Sequence, residues 1–440
     1  MHLRNLFCAA VLAGGLLLYA QTPANTAPAV EYIRAGHLFN SATGRYTDGA
    51  VLVVEGDRIR SVEAANYTIP AGAKTVDLST SYVLPGLIDC HTHLTARADQ
   101  YDEILQFHAT PIRSGIYGVE NARRTLLAGF TTVRDVGSAP FAAVDLRDTV
   151  NEGFVPGPRI VASGPGISIT GGHGDLNNFS PQVRPMTYPA DRDFGIADGE
   201  QQVQQTIRAQ VKYGVDVIKI LASGGVLSKG DKPGAPQYTF AELKMAADTA
   251  HQAGRKIAAH AHGADSIRWS IQAGIDSIEH ASLVDDEGIR LAKQHGTFFV
   301  MDIYDDDYIL QEAGKLGLPE EQLAKERGVG KLQRENFRKA WKAGVKMAFG
   351  TDAGVYPHGN NAKQFHYMVA YGMTPVEAIQ AATIRAAELI GRSSDVGELT
   401  AGHYADLVAL QTDPLQHVED LEHIPVVVKG GLVVKDERTK

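Results

Sequence analysis

Cysteine is nearly absent from this chain: 440 residues carry two, Cys8 and Cys90. A fold stapled by disulfides is thereby excluded, and burial of a large apolar core has to hold the structure, helped by metal where one binds. Basic charge is also in deficit. Lys and Arg total 42 against 51 acidic residues, a formal net charge of -9, and no long basic run occurs. A nucleic-acid partner would demand a basic face, so that class of function is set aside. No internal repeat or low-complexity segment stands out. Apolar residues make up 44% and charged residues 21%, an ordinary balance for a soluble enzyme.

The one long apolar run opens the chain. His2 and Arg4 precede the apolar residues 6–19, and Ala20 is a small residue suited to cleavage. Residues 1–20 therefore read as a signal peptide, too short for a comfortable membrane span, with the polar residues 21–28 as a linker. A buried N-terminal helix is the alternative. On the signal-peptide reading the protein is exported, periplasmic or secreted, without stable membrane association, and Cys90 is its only thiol.

What the chain does contain is histidine, 16 in all, and several occur in a repeated context. The apolar run Tyr82-Val83-Leu84-Pro85-Gly86-Leu87-Ile88 leads into Asp89-Cys90-His91-Thr92-His93. On a strand, His91 and His93 share a face, and two adjacent imidazoles at a strand end make half a metal site. Residues 83–93, 131–136, 159–163, 216–221, 256–262, 277–280, 297–301 and 345–350 read as strands. Helical patterns such as 241–253, 264–273 and 289–295 fall between them, several closed by glycine. This alternation over residues 85–394 predicts an α/β fold, a (β/α)8 TIM barrel, with a doubly wound parallel sheet as the alternative. Residues 30–84 and 395–440 carry strand-turn-strand patterns, including Glu55-Gly56-Asp57, and predict a small β-sandwich domain built from both chain ends.

Chemistry-bearing residues recur at the same end of successive barrel strands. His91 and His93 close the first, and Lys219 lies near the end of the otherwise apolar fourth. His260 and His262 end the fifth, His280 the sixth, and Asp352 follows Gly350-Thr351 on the eighth. A lysine on a buried strand is costly unless paired or chemically altered; the alternative is a lysine reaching solvent or an acid at the rim. Strand ends of a parallel barrel converge on one mouth, which the two long connections 164–199 and 222–239 would also cover.

Together these motifs closely resemble the amidohydrolase superfamily of metal-dependent hydrolases. The resemblance rests on Pro85-Gly86-Leu87-Ile88-Asp89-Cys90-His91-Thr92-His93, Lys219, His260, His280 and Gly350-Thr351-Asp352-Ala353. Thr131-Thr132-Val133-Arg134-Asp135-Val136-Gly137 and Ala259-His260-Ala261-His262-Gly263-Ala264 are similar to the imidazolonepropionase-like subgroup. That subgroup includes enzymes resembling Xaa-Pro dipeptidases and ochratoxin-cleaving amidohydrolases.

The resemblance implies two divalent ions, zinc by preference, about 3.5 Å apart. It places His91, His93 and Asp352 on the first ion and His260 and His280 on the second. A CO2-derived carbamate on Lys219 would lie between them. His262 falls in a supporting or substrate-facing position, or replaces His260 as the ligand. A water activated by the two ions would attack a carbonyl, with Asp352 moving its proton to the leaving amine. Tyr238 is the candidate donor to the developing oxyanion, or else packs in its loop. His173 and Arg134 are candidates for a substrate carboxylate or a supporting role, Arg134 alternatively pairing with Asp135. The implied activity is hydrolysis of the amide bond to a C-terminal amino acid in a short peptide or an N-acyl amino acid such as ochratoxin A. A cyclic-amide hydrolase, or a metal-free binding protein on the same scaffold, are the other readings. A homo-oligomer is compatible with any of them.

Overall fold

Four strands open the described part of the chain: β1 (Val30–Asn40), β2 (Arg45–Glu55), β3 (Arg58–Ala64) and β4 (Thr75–Pro85). The computed structural model describes residues 30–98, 110–175, 180 and 194–438. The expected signal peptide, and residues 176–179 and 181–193 of the long third connection, lie outside the described residues.

Seven short strands follow: β5 (Leu87–Thr92), β6 (Phe130–Asp135), β7 (Arg159–Ala162), β8 (Val217–Leu221), β9 (Lys256–Ala261), β10 (Ser277–His280) and β11 (Phe298–Val300). All their pairings are parallel. They form a three-stranded sheet, β5-β6-β7, and a four-stranded sheet, β11-β10-β9-β8. Helices separate them, among them Phe240–Gln252, Ala264–Ala273 and Asp286–His295. The first of these starts in a capping box, in which the Thr239 hydroxyl accepts from Glu242 N–H and the Glu242 carboxylate returns the bond. The result is a TIM-barrel-like α/β fold.

The sequence predicts one strand over 83–93, and the structure divides it. Residues up to Pro85 belong to the small sheet and those from Leu87 to the barrel, with Gly86 between them. A Cβ at Gly86 would collide with the Thr131 side chain, so only glycine lets the two strands turn this closely over β6. His93 falls just past β5. The eighth strand, expected at 345–350, does not form a ladder. Its backbone partners alternate: Lys346 O accepts from Phe299 N–H, Phe349 O from Cys90 N–H, and Phe349 N–H donates to Ala381 O. Isolated parallel bridges, Phe299 to Met347 and Thr92 to Ala353, mark its place beside β11 and β5.

The chain then returns to the first sheet through β12 (Leu407–Leu410), β13 (Val426–Lys429) and β14 (Leu432–Asp436). β12 pairs antiparallel with β4, giving the order β14-β13-β12-β4-β1-β2-β3. A sandwich of two sheets was the expectation; among the described residues these strands form one connected seven-stranded sheet. It packs around its own core of Ile33, Leu52, Leu78, Val83, Leu407 and Val426.

Barrel strands β5, β6, β8, β10 and β11 are buried along their whole length, as near-continuous apolar runs in parallel sheets must be. The acidic, basic and histidine side chains set into these runs, and into the buried end of β9, are therefore the exceptions to explain: Asp89, His91, Arg134, Asp135, Lys219, His260, Glu279 and His280. Among the described residues no helix is long and apolar enough to cross a membrane.

Candidate metal centre

His91 and His93 reach the mouth of the barrel from β5 and its end, and Asp352 meets both. Its Oδ1 lies 3.3 Å from His91 Nε2 and 3.0 Å from His93 Nε2. The second nitrogen of His93 is 2.8 Å from Gly137 O, which fixes the ring with its proton on Nδ1 and its Nε2 toward Asp352. Burial works against ionisation of Asp352, yet the two imidazoles hold its carboxyl well below the ordinary range. Behind His91, Asp89 is fully buried. It accepts from His91 N–H, the Thr351 hydroxyl and the Asn361 amide, and burial pushes it up to about 6 against those bonds.

Across the mouth stand His260, His262 and His280. His280 Nδ1 lies 2.7 and 2.9 Å from the two oxygens of Asp302, and His262 Nδ1 lies 2.7 Å from Ser282 Oγ. His260 is anchored the other way round, its Nε2 3.2 Å from Gly224 O. Each ring thus keeps one nitrogen bound to the protein and one free. Burial first, then the neighbouring imidazoles, holds His260 and His262 well below the ordinary histidine value, so both stay neutral. A neutral imidazole with an anchored second nitrogen is what a metal ligand requires.

Among the described residues, three donor groups can each bring one ligand atom per residue to within 4.8 Å of one another. They are His91, His93 and Asp352; His260, His262 and His280; and His280, Asp302 and Asp352. His280 and Asp352 each occur twice, so the groups adjoin, and the rings of His91 and His280 are 5.0 Å apart. The fit to a cation has a direct sign. Both nitrogens of His91, Glu279 Oε2 and Asp352 Oδ1 are buried without a hydrogen bond. Unmet polar atoms of this kind cost about 1–3 kcal/mol each, and more when charged. A divalent ion held by His91 Nε2 and Asp352 Oδ1 would remove that cost for those two atoms and leave the Nδ1 proton to Glu279. Residue types agree, since imidazole and carboxylate suit zinc and similar ions.

The backbone is strained at the same places. His280 and Asp352 have φ of 67° and 56°, and Ala281 follows at 49°. Left-handed non-glycine residues cost roughly 1–3 kcal/mol each and cluster at functional sites. Here the strain turns two candidate ligands off their strand ends and into the mouth.

Lys219 lies on β8, 2% exposed. Burial lowers its amine below the usual lysine range, with Glu279 and Asp352 acting in the opposite direction. Glu279 was not anticipated. It is fully buried, 2.8 Å from Arg134 and 3.1 Å from His91 Nδ1, and these cations outweigh burial to keep it ionised.

Of the substrate-facing candidates, two are held elsewhere in the structure. Tyr238 is not brought to this cluster: its ring lies in the barrel core and its hydroxyl donates to Ala197 O at 3.0 Å. That proton is engaged, and the geometry matches the packing alternative for Tyr238. Arg134 does not pair with Asp135. It is 2% exposed, and its guanidinium donates to Cys90 O at 2.6 Å, Ser277 Oγ at 3.0 Å and Glu279 at 2.8 Å. Its role is the supporting one, holding the carboxylate beside His91.

His173 does reach the cluster, stacked 4.3 Å from the ring of His260. Its Nδ1 is 2.8 Å from Ser228 Oγ, whose own proton goes to Asp231 at 2.6 Å. His173 therefore donates from Nδ1 and carries a lone pair on Nε2. Burial brings it down to about 4, so at neutral pH it suits a substrate N–H rather than a carboxylate. Gly225 makes room for this ring, since a Cβ there would collide with it.

A family model described as the amidohydrolase family matches residues 82–434, the barrel together with the returning strands. The chain belongs to the amidohydrolase family. It is 32% identical over 424 residues to ochratoxinase of Aspergillus niger, covering 92% of this chain and 87% of that protein. A crystal structure of a Xaa-Pro dipeptidase with bound methionine in its active site matches with a TM-score of 0.87. That match is at 35% identity, over 92% of this chain and 100% of the other. A prolidase complexed with N-methylphosphonate-L-proline matches at 0.84 and 30% identity, over 92% and 100% of the two chains. This amidohydrolase is accordingly a hydrolase acting on amide bonds.

Proposed function

We propose that this amidohydrolase uses two divalent ions to release a C-terminal amino acid from a dipeptide or an N-acyl amino acid. The observation that carries the reading is the set of adjoining donor groups that share His280 and Asp352. His91, His93 and Asp352 would hold one ion and His260 and His280 the other, with His262 beside the substrate. Bound there, the ions would make a water acidic enough to attack at neutral pH and would polarise the scissile carbonyl. The chain's own part is positional and protonic. Asp352, touching both imidazoles of the first group, accepts the proton of the attacking water and delivers it to the leaving nitrogen. His173 offers its Nε2 lone pair to an N–H of the substrate.

The preference for a C-terminal amino acid is supported by the relatives solved with methionine and with a prolyl phosphonate. A panel of dipeptides and N-acyl amino acids, with Zn2+ and bicarbonate supplied, tests it. Hydrolysis of acids but not of their C-terminal amides is expected. Equal rates on the amides would remove the C-terminal preference, and no turnover of any member would remove the reading.

Lys219 enters as a carbamate, formed when its neutral amine adds to CO2 and releases one proton to solvent; two oxygens sharing one negative charge then replace an ammonium that the ions would repel. Lys219→Ala should then lose metal and activity together, and short-chain carboxylic acids should restore part of both. A Lys219→Ala protein with full metal and wild-type turnover in bicarbonate-free buffer would refute the carbamate.

A further inference from the structure

The helix Glu320–Ala343 buries Gln322, Glu326, Gln333 and Asn336 on the face it presents to the barrel. Polar groups on a buried helix face are costly unless each is paired, so these positions need a reason. For Gln333 the reason is a continuous chain of hydrogen bonds. Its Oε1 accepts from Ser282 Oγ at 3.1 Å, and its Nε2 donates to Asp302 Oδ1 at 3.0 Å. Ser282 Oγ is the 2.7 Å partner of His262 Nδ1, and Asp302 is the partner of His280 Nδ1. Three residues on, Asn336 donates to Ser282 O at 2.8 Å and fixes that residue against the helix.

Every proton in this chain is determined. Asp302, as a carboxylate, only accepts, so the amide must turn its NH2 toward it; the reverse would set two acceptors face to face. Gln333 Oε1 then faces Ser282 and takes the single hydroxyl proton. Toward His262, Ser282 Oγ can only accept, so His262 carries its proton on Nδ1 and leaves Nε2 bare. Asp302 imposes the same state on His280 directly. All five residues are at most 6% exposed, so water does not compete for these bonds.

We propose that Gln333 is a positioning residue: its single amide transmits the Asp302 acceptor through Ser282 to His262, which is thereby held in the same tautomer as His280. Both rings turn a lone pair, not an N–H, toward the centre they share. What this does for catalysis rests on the metal-hydrolase reading above; the placement of the proton does not.

The test is the histidine tautomer, read in metal-free protein labelled with 15N-histidine, by long-range 15N–1H correlation at mildly alkaline pH, where imidazole is neutral. A His262→Asn variant assigns the His262 signals. In the wild type both His262 and His280 should read as Nδ1–H. In Gln333→Met, similar in volume but without acceptor or donor, Ser282 is free to donate to His262 Nδ1. The major form of His262 should exchange to Nε2–H while His280 stays unchanged. Ser282→Ala removes the link from the other side and should also release His262 from Nδ1–H. Two outcomes overturn the proposal: a wild-type His262 that reads Nε2–H, or a His262 that keeps Nδ1–H in both Gln333→Met and Ser282→Ala. The amide panel run on the same wild-type preparation separates the two readings. Turnover with His262 as Nε2–H overturns the relay alone, whereas correct tautomers without turnover of any substrate overturn the hydrolase reading alone.

Discussion

His91→Ala should lower kcat/KM by about 10³-fold or more and cut bound metal from about two ions per chain to one or fewer. The size follows from the several kcal/mol of charge stabilisation that a catalytic ion supplies, at about 1.4 kcal/mol per tenfold in rate. The structure adds a prediction that mere disruption of the fold would not share. His91 is buried with neither nitrogen hydrogen-bonded, wedged between Glu279 and Asp352. Truncating it removes packing and leaves the buried Glu279 and Asp352 carboxylates without the imidazole between them, so the metal-free variant should melt below the metal-free wild type. The difference that loss of packing does not explain should appear when Zn2+ is added. A ligand that binds only the folded state stabilises by RT ln(1 + [L]/Kd), so zinc should raise the melting temperature of the wild type far more than that of the variant. Melting curves with and without zinc, metal analysis and turnover on one pair of preparations decide it. Full activity in His91→Ala after exhaustive chelation would end the metal reading.

Much of this centre is legible in the sequence because two simple rules place it. Side chains alternate along a strand, and parallel barrel strands deliver their C-terminal ends to one mouth. Those rules bring together His91, His93, Lys219, His260, His280 and Asp352, which are far apart in the chain. Applied more strictly, they would have separated Arg134 from Asp135 and added Asp302. Arg134 and Asp135 are neighbours on β6, so they must face opposite sides. Arg134 crosses to Glu279, while Asp135 caps Leu94 N–H at 2.7 Å. Asp302 follows β11 closely, a strand-end position of the kind that singled out Asp352. The remaining residues carry no local sign. Tyr238 sits just before a helix cap, a position equally suited to a catalytic loop or to packing, and its partner Ala197 is 41 residues away. Gln333 lies on a helix whose register against the barrel no periodicity specifies. The missing eighth ladder has the same origin: residues 345–350 have a strand's composition, but their hydrogen bonds go in turn to β11, β5 and a helix end.

Asp352→Asn should keep the fold and most of the metal yet lose at least about 10²-fold in turnover, the scale of general acid–base catalysis. The backbone favours this variant as a clean test. Asp352 has a φ of 56°, and asparagine is among the few residues that accept the left-handed region readily. An Asn side chain also keeps one oxygen for the position that Asp352 Oδ1 occupies, 3.0 Å from His93 Nε2 and 3.3 Å from His91 Nε2. What it cannot do is accept the proton of the attacking water or return it to the leaving nitrogen. Substrate affinity should change much less than turnover, because His173 and its Ser228–Asp231 support are untouched. If Asp352 acts only as a ligand, metal occupancy and rate should fall in parallel, and added Zn2+ should restore the rate. If it moves the proton, saturating Zn2+ restores occupancy and leaves the rate low. Metal content and kcat measured across one zinc titration of the variant separate these outcomes. A fully loaded Asp352→Asn enzyme with wild-type turnover would remove Asp352 from the chemistry.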